Sequence, residues 1–210
     1  AGKRSEMAHQ LAIMSKALKR DMEEALCQKN GKTTGDATTP RTTGAFESWM
    51  TSNVNNQAGT TPTGGGTAPT DSATLRDLTE ALLKDVLQDC FANGGEPSLA
   101  ICGPHNKQVI SGFTGRSQAR QMIDANTVEA SVSIYSSDFG ELKIVPSNRS
   151  RERSLLLVDP EYAKVSYLRD FKTVDIATIG DAMTKMIVVE YGLEISNEAA
   201  HGLVADLNIS

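Results

Sequence analysis

Met7, Leu11, Met14, Leu18, Met22, Ala25 and Leu26 follow one another at steps of three and four near the start of the chain. Side chains on an α-helix repeat every 3.6 residues, so this spacing predicts a helix over 5–28 with one narrow apolar stripe and a charged remainder. Ser5 and Glu6 suit its start, where free N–H groups favour oxygen and negative charge. Asn30 and Gly31 suit its end, because both tolerate left-handed backbone. At about 1.5 Å per residue the rod is about 36 Å long. A second stripe of Leu75, Leu78, Leu82, Val86, Cys90 and Phe91 predicts a helix over 70–95. It is capped by Thr70 or Asp71 and closed by Asn93 and Gly94; Leu83 and Leu87 widen the stripe, so it should be the more deeply buried of the two.

Residues 97–102 read as a short buried strand closed by Gly103 and Pro104, followed by a helix over 105–112 and another over 118–125. From residue 127 the period becomes two, with Val128, Ala130, Val132 and Ile134 alternating with polar neighbours; a turn at 136–140 and a return over 141–145 predict a β-hairpin. Residues 146–153 form a charged loop. The apolar run at 154–159, bounded by turn signals, predicts a central strand. Residues 163–168 predict another, Gly180 and Asp181 a tight turn, and 183–195 a long final strand, well above the usual five or six residues.

The segment 29–71 differs from the rest. Thr, Gly, Asn and Ser dominate it, and such composition does not bury enough surface to fold alone. It should therefore lie along a neighbouring surface. One island interrupts it: Phe46 to Met50 contains the only tryptophan, Trp49, and suits a short helical turn. Trp49 either packs under its own loop or anchors a contact with another subunit, where tryptophan is enriched.

Composition narrows the function. The 210 residues carry a net charge of -5, against the basic surplus of a general nucleic-acid binder. There is no apolar run of about 18 residues to span a membrane and no signal-peptide pattern. Three cysteines, an odd and small number, fit a reducing compartment better than a disulfide framework. The chain opens in helical sequence without an initiator methionine, which suggests a fragment or processed product.

Candidate chemistry is sparse. Glu6/His9 and Glu198/His201 are Glu-x-x-His pairs, but only the first lies on a long helix, and a two-metal site needs four such helices. Cys102 stands near His105; a cysteine closing an apolar strand is a core residue more often than a nucleophile. Asp138-Phe139-Gly140 lacks the other kinase signatures, and Gly64-Gly65-Gly66 lacks the following Lys-Ser/Thr of a phosphate loop. Arg149, Arg151 and Arg153 form a basic cluster around Glu152, suited to a solvated or intersubunit salt-bridging loop more than to nucleic-acid readout. No catalytic set, cofactor site or metal site emerges. An over-long helix, an over-long strand and a long loose loop point instead to a structural subunit whose unusual features are surfaces for neighbours.

Residues 155–169 (LLLVDPEYAKVSYLR), Gly180-Asp181, 188–191 (VVEY) and 197–202 (NEAAHG) resemble the major capsid proteins of tailed bacteriophages with the Hong Kong 97-type fold. Residues 4–8, 19–23, 79–86 and 103–109 share that likeness, so it spans nearly the whole chain. The resemblance implies an α+β fold with a long spine helix, a peripheral domain with long antiparallel strands and a mixed α/β axial domain. It divides the chain into 1–71 (spine helix and Thr/Gly-rich loop), 72–169 (axial domain) and 170–210 (return strands and C-terminal segment). It implies a non-enzymatic subunit that self-assembles into pentamers and hexamers of an icosahedral head enclosing double-stranded DNA. Scaffolding, portal or decoration proteins are further partners, and the shell is built in the bacterial cytoplasm. Phe46, Trp49, Arg149, Arg151 and Arg153 are the interface candidates. Such proteins carry an N-terminal arm and an extended loop ahead of the spine helix; this sequence starts at the helix, so a cleaved or truncated chain is expected. The rival readings are a decoration or tail-tube subunit, or an enzyme using a thiol or a metal.

Overall fold

Leu155–Val158 forms β5, and all four of its side chains are buried. In the computed structural model, which describes residues 6–57, 63–113, 133–177, 180 and 183–209, this strand lies inside a six-stranded mixed sheet. The other strands are β1 (Val54–Asn55), β2 (Leu99–Cys102), β3 (Ile134–Ser137), β4 (Gly140–Pro146) and β8 (Gly202–Val204), in the order β1-β8-β5-β2-β4-β3. Successive strand side chains point to opposite faces, so an unbroken apolar run requires cover on both sides. Leu155 and Leu157 pack under α2 (Glu80–Ala92) with Leu83, Val86 and Cys90. Leu156 and Val158 pack on the other face with Phe46, Met50 and Leu203.

Helix α3 (Pro104–Ser111) places Ile110 in the α2-side core. Proline at its first turn needs no N–H partner, which agrees with a helix starting at Gly103-Pro104. The β3–β4 hairpin turns at Asp138 and Phe139, with Ser137 opposite Gly140. The kinase-like tripeptide is this turn, and Phe139 packs on Phe91 with ring centroids 5.1 Å apart. The helix expected over 118–125 and the start of the hairpin before Ser133 lie outside the described residues, as does Asp181 of the expected turn.

The second helix differs from the sequence expectation. The second helix begins at Glu80, not at Thr70 or Asp71, and its N-cap is Thr79, whose side chain accepts from the Leu82 N–H. Residues before it spend their polar groups on tertiary partners. The Ser72 N–H donates to Asp206 Oδ1 at 3.0 Å and the Arg76 N–H to the Asp206 carbonyl at 3.0 Å, while Arg76 Nη2 donates to the Asn55 carbonyl at 2.6 Å. These bonds replace the first turns of a helix. The buried face of α2 is Leu83, Val86, Leu87 and Cys90, and Phe91, placed in the stripe by spacing, is 52% exposed.

The opening helix α1 (Glu6–Cys27) forms as the periodicity predicts. Its stripe is not covered along its length, however: Met22 is buried, whereas Met14 is 56% exposed. Its tertiary polar contacts gather in the second half. Glu23 accepts from Ser147, Glu24 pairs with Arg149 at 2.8 Å, and the Arg151 N–H donates to the Cys27 carbonyl.

The remaining strands, β6 (Ala163–Ile176) and β7 (Thr184–Ile195), form a separate two-stranded antiparallel ribbon. β6 runs eight residues beyond the expected 163–168. Register shifts between Tyr167, Arg169 and Lys172 show extra residues on β6. Before the bulges, Ala163, Leu193 and Ile195 pack toward Phe46 and Leu156. Beyond them Val174 pairs with Met186 and Lys172 with Val188. Even- and odd-numbered β7 residues face opposite sides, so the distal apolar strip points away from the face that holds the proximal end.

Candidate functional site

The Trp49 island is a single 3-10 helical turn, Phe46–Trp49. Phe46 and Met50 anchor it in the core on one face of the sheet, and the Phe46 ring meets His201 edge-on with centroids 5.0 Å apart. Trp49 is half-buried; the Lys32 ammonium stands 5.0 Å from its ring centroid, a cation–π geometry. The Gly66 N–H donates to the Ser48 carbonyl at 3.0 Å and the Lys32 N–H to the Gly66 carbonyl at 2.7 Å, so the Gly-rich stretch folds back on the turn. Gly66 has a φ of 83°, and a Cβ there would collide with the Lys32 side chain. Gly64 and Gly65 also have positive φ, at 64° and 63°, so the stretch turns through left-handed backbone.

The arginine cluster and the tryptophan turn meet through a residue that no sequence motif marks. Glu47 is 1% exposed; its Oε2 accepts from Arg151 Nη1 at 2.7 Å, and its Oε1 accepts from the Ser154 hydroxyl. Arg151 also pairs with Asp71, which accepts from Lys29 Nζ at 2.6 Å. Arg153 Nη2 donates to the Ser72 carbonyl at 2.6 Å and lies 3.5 Å from Asp206. Each of the three arginines therefore has partners within the chain. Of the interface candidates, Phe46 and Arg151 are largely enclosed, while Trp49 and Arg149 keep accessible surface. A signal for Glu47 existed in the sequence, as an acidic residue inside an apolar island, but its partner lies 104 residues away.

The rival chemistry does not assemble. Cys102 is fully buried, and burial pushes its thiol up to about 11, away from the thiolate a nucleophile needs. Glu6 accepts from Gln10 on α1, whereas Glu198 accepts from the Thr51 and Ser52 N–H groups and the Ser52 hydroxyl. His201 Nδ1 accepts from the Asp159 N–H at 3.1 Å, deep in the core. Glu198 and His201 thus hold local structure, apart from Glu6 on α1. Among the described residues no group of three or more His, Cys, Asp and Glu is placed to hold a metal ion.

What the surface offers is apolar area. Leu168 and Met183 are more than two-thirds exposed, Tyr167, Ile176 and Met186 are also exposed, and Ile13 joins Met14 on α1. A groove of about 930 Å³ runs between the loop and the ribbon, lined by Lys32, Arg41, Trp49, Leu168 and Tyr191 among others. A long ribbon with uncovered apolar faces and a half-covered opening helix thus leave the chain with extensive exposed apolar surface.

The model of the SU10 major capsid protein family matches residues 1–208, and the chain belongs to that family. No curated protein sequence matches it. Its fold is similar to the SrpI encapsulin of Synechococcus elongatus PCC 7942, at 12% identity and a TM-score of 0.57, over 100% of this chain and 69% of that one. It is similar to the procapsid of satellite phage P4 that includes the size determination protein, at 14% identity and a TM-score of 0.57, over 99% and 66%. The capsid of an empty GTA particle is likewise similar, at 10% identity and a TM-score of 0.54, over 97% and 66%. The chain spans about two thirds of the length of these structures' chains. Its role is that of a structural capsid subunit of the virion.

Proposed function

We propose that this subunit tiles an icosahedral phage head by self-association into pentamers and hexamers around double-stranded DNA. The observation that carries this is the β6–β7 ribbon. Two-stranded ribbons are marginally stable in water unless packed against something else. Here strands of 14 and 12 residues have no further strand on either outer edge among the described residues, and distal apolar side chains are left uncovered. A neighbouring subunit that covers Ile176, Met183 and Met186 removes that surface from water, at about 25 cal/mol per Å². The increment per contact is small, but it repeats at every equivalent interface of a closed shell.

In this reading residues 1–71 and 170–210 build the peripheral part and 72–169 the axial part. Strands β1 and β8, which come from the outer ranges, join the six-stranded sheet of the middle range. Trp49 and Arg149 are the accessible interface candidates, with Phe46, Arg151 and Arg153 positioning them from beneath. Assembly takes place in the bacterial host cytoplasm, with scaffolding, portal or decoration proteins as further partners. The negative net charge keeps contact with packaged DNA weak and non-specific.

Electron microscopy of the purified protein across a concentration series tests the proposal. Closed shells, or rings of five and six, are the expected outcome. A particle that stays monomeric at every concentration, with and without co-expressed phage structural proteins, overturns it.

A further inference from the structure

The chain has seven methionines, and the fold separates them by access. Met50 is fully enclosed in the core and Met22 is buried. Met183 is 72% exposed and Met186 46%, and Met14 also lies open on α1. Met7 is half-buried, and Met122 lies outside the described residues. Met183 stands just before β7 and Met186 within it, opposite Val174 of β6. The Met186 side chain borders an open hollow of about 590 Å³, lined also by Phe171, Val174 and Val188. A small reagent in water therefore reaches both ribbon sulfurs.

We propose that Met183 and Met186 form a reversible oxidation site: peroxide converts both thioethers to sulfoxides, and the oxidised subunit stays folded but is withheld from the shell until a thiol-dependent reductase restores it. The inference rests on the assembly reading in one respect, that a neighbouring subunit covers this strip.

The chemistry needs no protein base, because a thioether has no proton to lose. The sulfur lone pair attacks one oxygen of hydrogen peroxide; the S–O bond forms as the O–O bond breaks, and the other oxygen leaves as water. The sulfur is oxidised and the peroxide reduced by the same electron pair. A dithiol reverses the step, giving thioether, disulfide and water. The cysteines compete poorly. A thiol reacts as its thiolate, and burial pushes Cys27, Cys90 and Cys102 up to about 11, about 12 and about 11.

A sulfoxide is polar and accepts hydrogen bonds, so it is well solvated on the free subunit. Neither sulfur belongs to the buried core, so its oxidation leaves the six-stranded sheet intact. At an apolar contact the same group is buried without a partner, which weakens association by about tenfold per sulfoxide. Equivalent contacts repeat around a closed shell, so the loss recurs at each of them.

Hydrogen peroxide is added to the unassembled protein, and sulfoxides are located by peptide mass spectrometry. Met183 and Met186 are expected to be oxidised first, together with Met14, while Met22 and Met50 stay unmodified and the circular dichroism stays native. Oxidation of Met22 and Met50 at the same rate overturns the proposal, because unfolding and not surface chemistry is then at work. Particle yield is next compared by electron microscopy in a Met14→Leu background, with and without Met183→Leu and Met186→Leu. Leucine keeps the surface apolar and has no sulfur to oxidise. Peroxide is expected to cut the yield of the background by about tenfold or more and to leave that of the leucine variant unchanged. Methionine sulfoxide reductases with dithiothreitol are expected to restore the background. Equal losses in both proteins, or full yield in both, overturn the proposal. If the leucine variant does not assemble before treatment, rescue of the background by the reductases decides, and failure to recover overturns it. Untreated protein that never forms particles overturns the assembly reading and this effect with it; normal yield from the oxidised subunit, beside an untreated control that assembles, overturns this inference alone.

Discussion

Glu47 and Arg151 stand 2.7 Å apart across 104 residues of sequence, and the pair joins the tryptophan turn to the strand at the centre of the sheet. Its energetics are asymmetric. Removing a charge from water is costly, and the attraction between the partners roughly offsets that cost only while both are present. Arg151→Ala leaves a buried carboxylate with the Ser154 hydroxyl alone and is expected to destabilise the fold by about 3–5 kcal/mol. A Glu47→Leu, Arg151→Met double variant removes both charges and should recover most of that loss. Urea midpoints of the two variants check this; equal losses would mean that the pair is already solvated.

Gly94 and Gly95 are adjacent, but glycine is required at each for a different reason. Gly94 has a φ of 82° at the end of α2, and a Cβ there would have no atom within 4 Å, so only its dihedral matters. Gly95 is crowded instead: a Cβ there would stand 2.6 Å from Ala200 Cα and 2.8 Å from its carbonyl oxygen. Backbone cannot turn aside as a side chain does. Gly95→Ala is expected to cost about 1–3 kcal/mol through this overpacking, and Gly94→Ala about 1 kcal/mol through strain. Thermal melts of the two variants give the order.

Much of the fold is legible in local pattern, and where it is not, a distant partner intervenes. The run at Leu155–Val158 reads as a central strand because cover on both faces leaves no polar position. The tryptophan island reads as a turn because it is a lone apolar cluster in a Thr/Gly-rich loop. The start of α2 is ambiguous because Asp71 and Thr79 are both competent caps, and only the distant Arg151 and Asp206 decide that Asp71 and Ser72 serve elsewhere. The full length of β6 is hidden by its bulges, which shift the alternation of apolar residues partway along the strand. Of the candidate site, the residue types are visible and their pairing is not. Uncovered apolar surface, the feature that carries the function, is invisible to periodicity because covered and uncovered stripes have the same spacing.

His201 makes stability depend on pH in a known direction. Burial lowers its imidazole pKa below the ordinary 6.5, and this outweighs the Asp159 carboxylate nearby. The folded state therefore keeps the ring neutral where the unfolded chain already binds a proton. Below 6.5 the unfolded chain holds more protons, so stability is full above that value and falls as the pH drops toward the folded pKa. Nuclear magnetic resonance should show the His201 ring titrating below 6.5, with the urea midpoint declining over the same range. A His201 ring that titrates at or above 6.5 would remove this contribution.

Met14 and Met22 lie two helical turns apart on the same stripe of α1, yet one is 56% exposed and the other 7%. The difference separates what the chain buries by itself from what it offers to a neighbour. Met22→Asp puts a carboxylate into the contact between α1 and the rest of the fold, and should cost more than about 2 kcal/mol. Met14→Asp places the same charge in water and should leave the melting temperature of the unassembled subunit unchanged. If α1 is covered by a second subunit in the shell, Met14→Asp instead reduces particle yield, because the charge must then be buried at every copy of the interface. Calorimetry of unassembled protein and particle counts by electron microscopy read the two effects separately. A Met14→Asp variant that forms particles at the normal yield would show that this face of α1 stays in solvent.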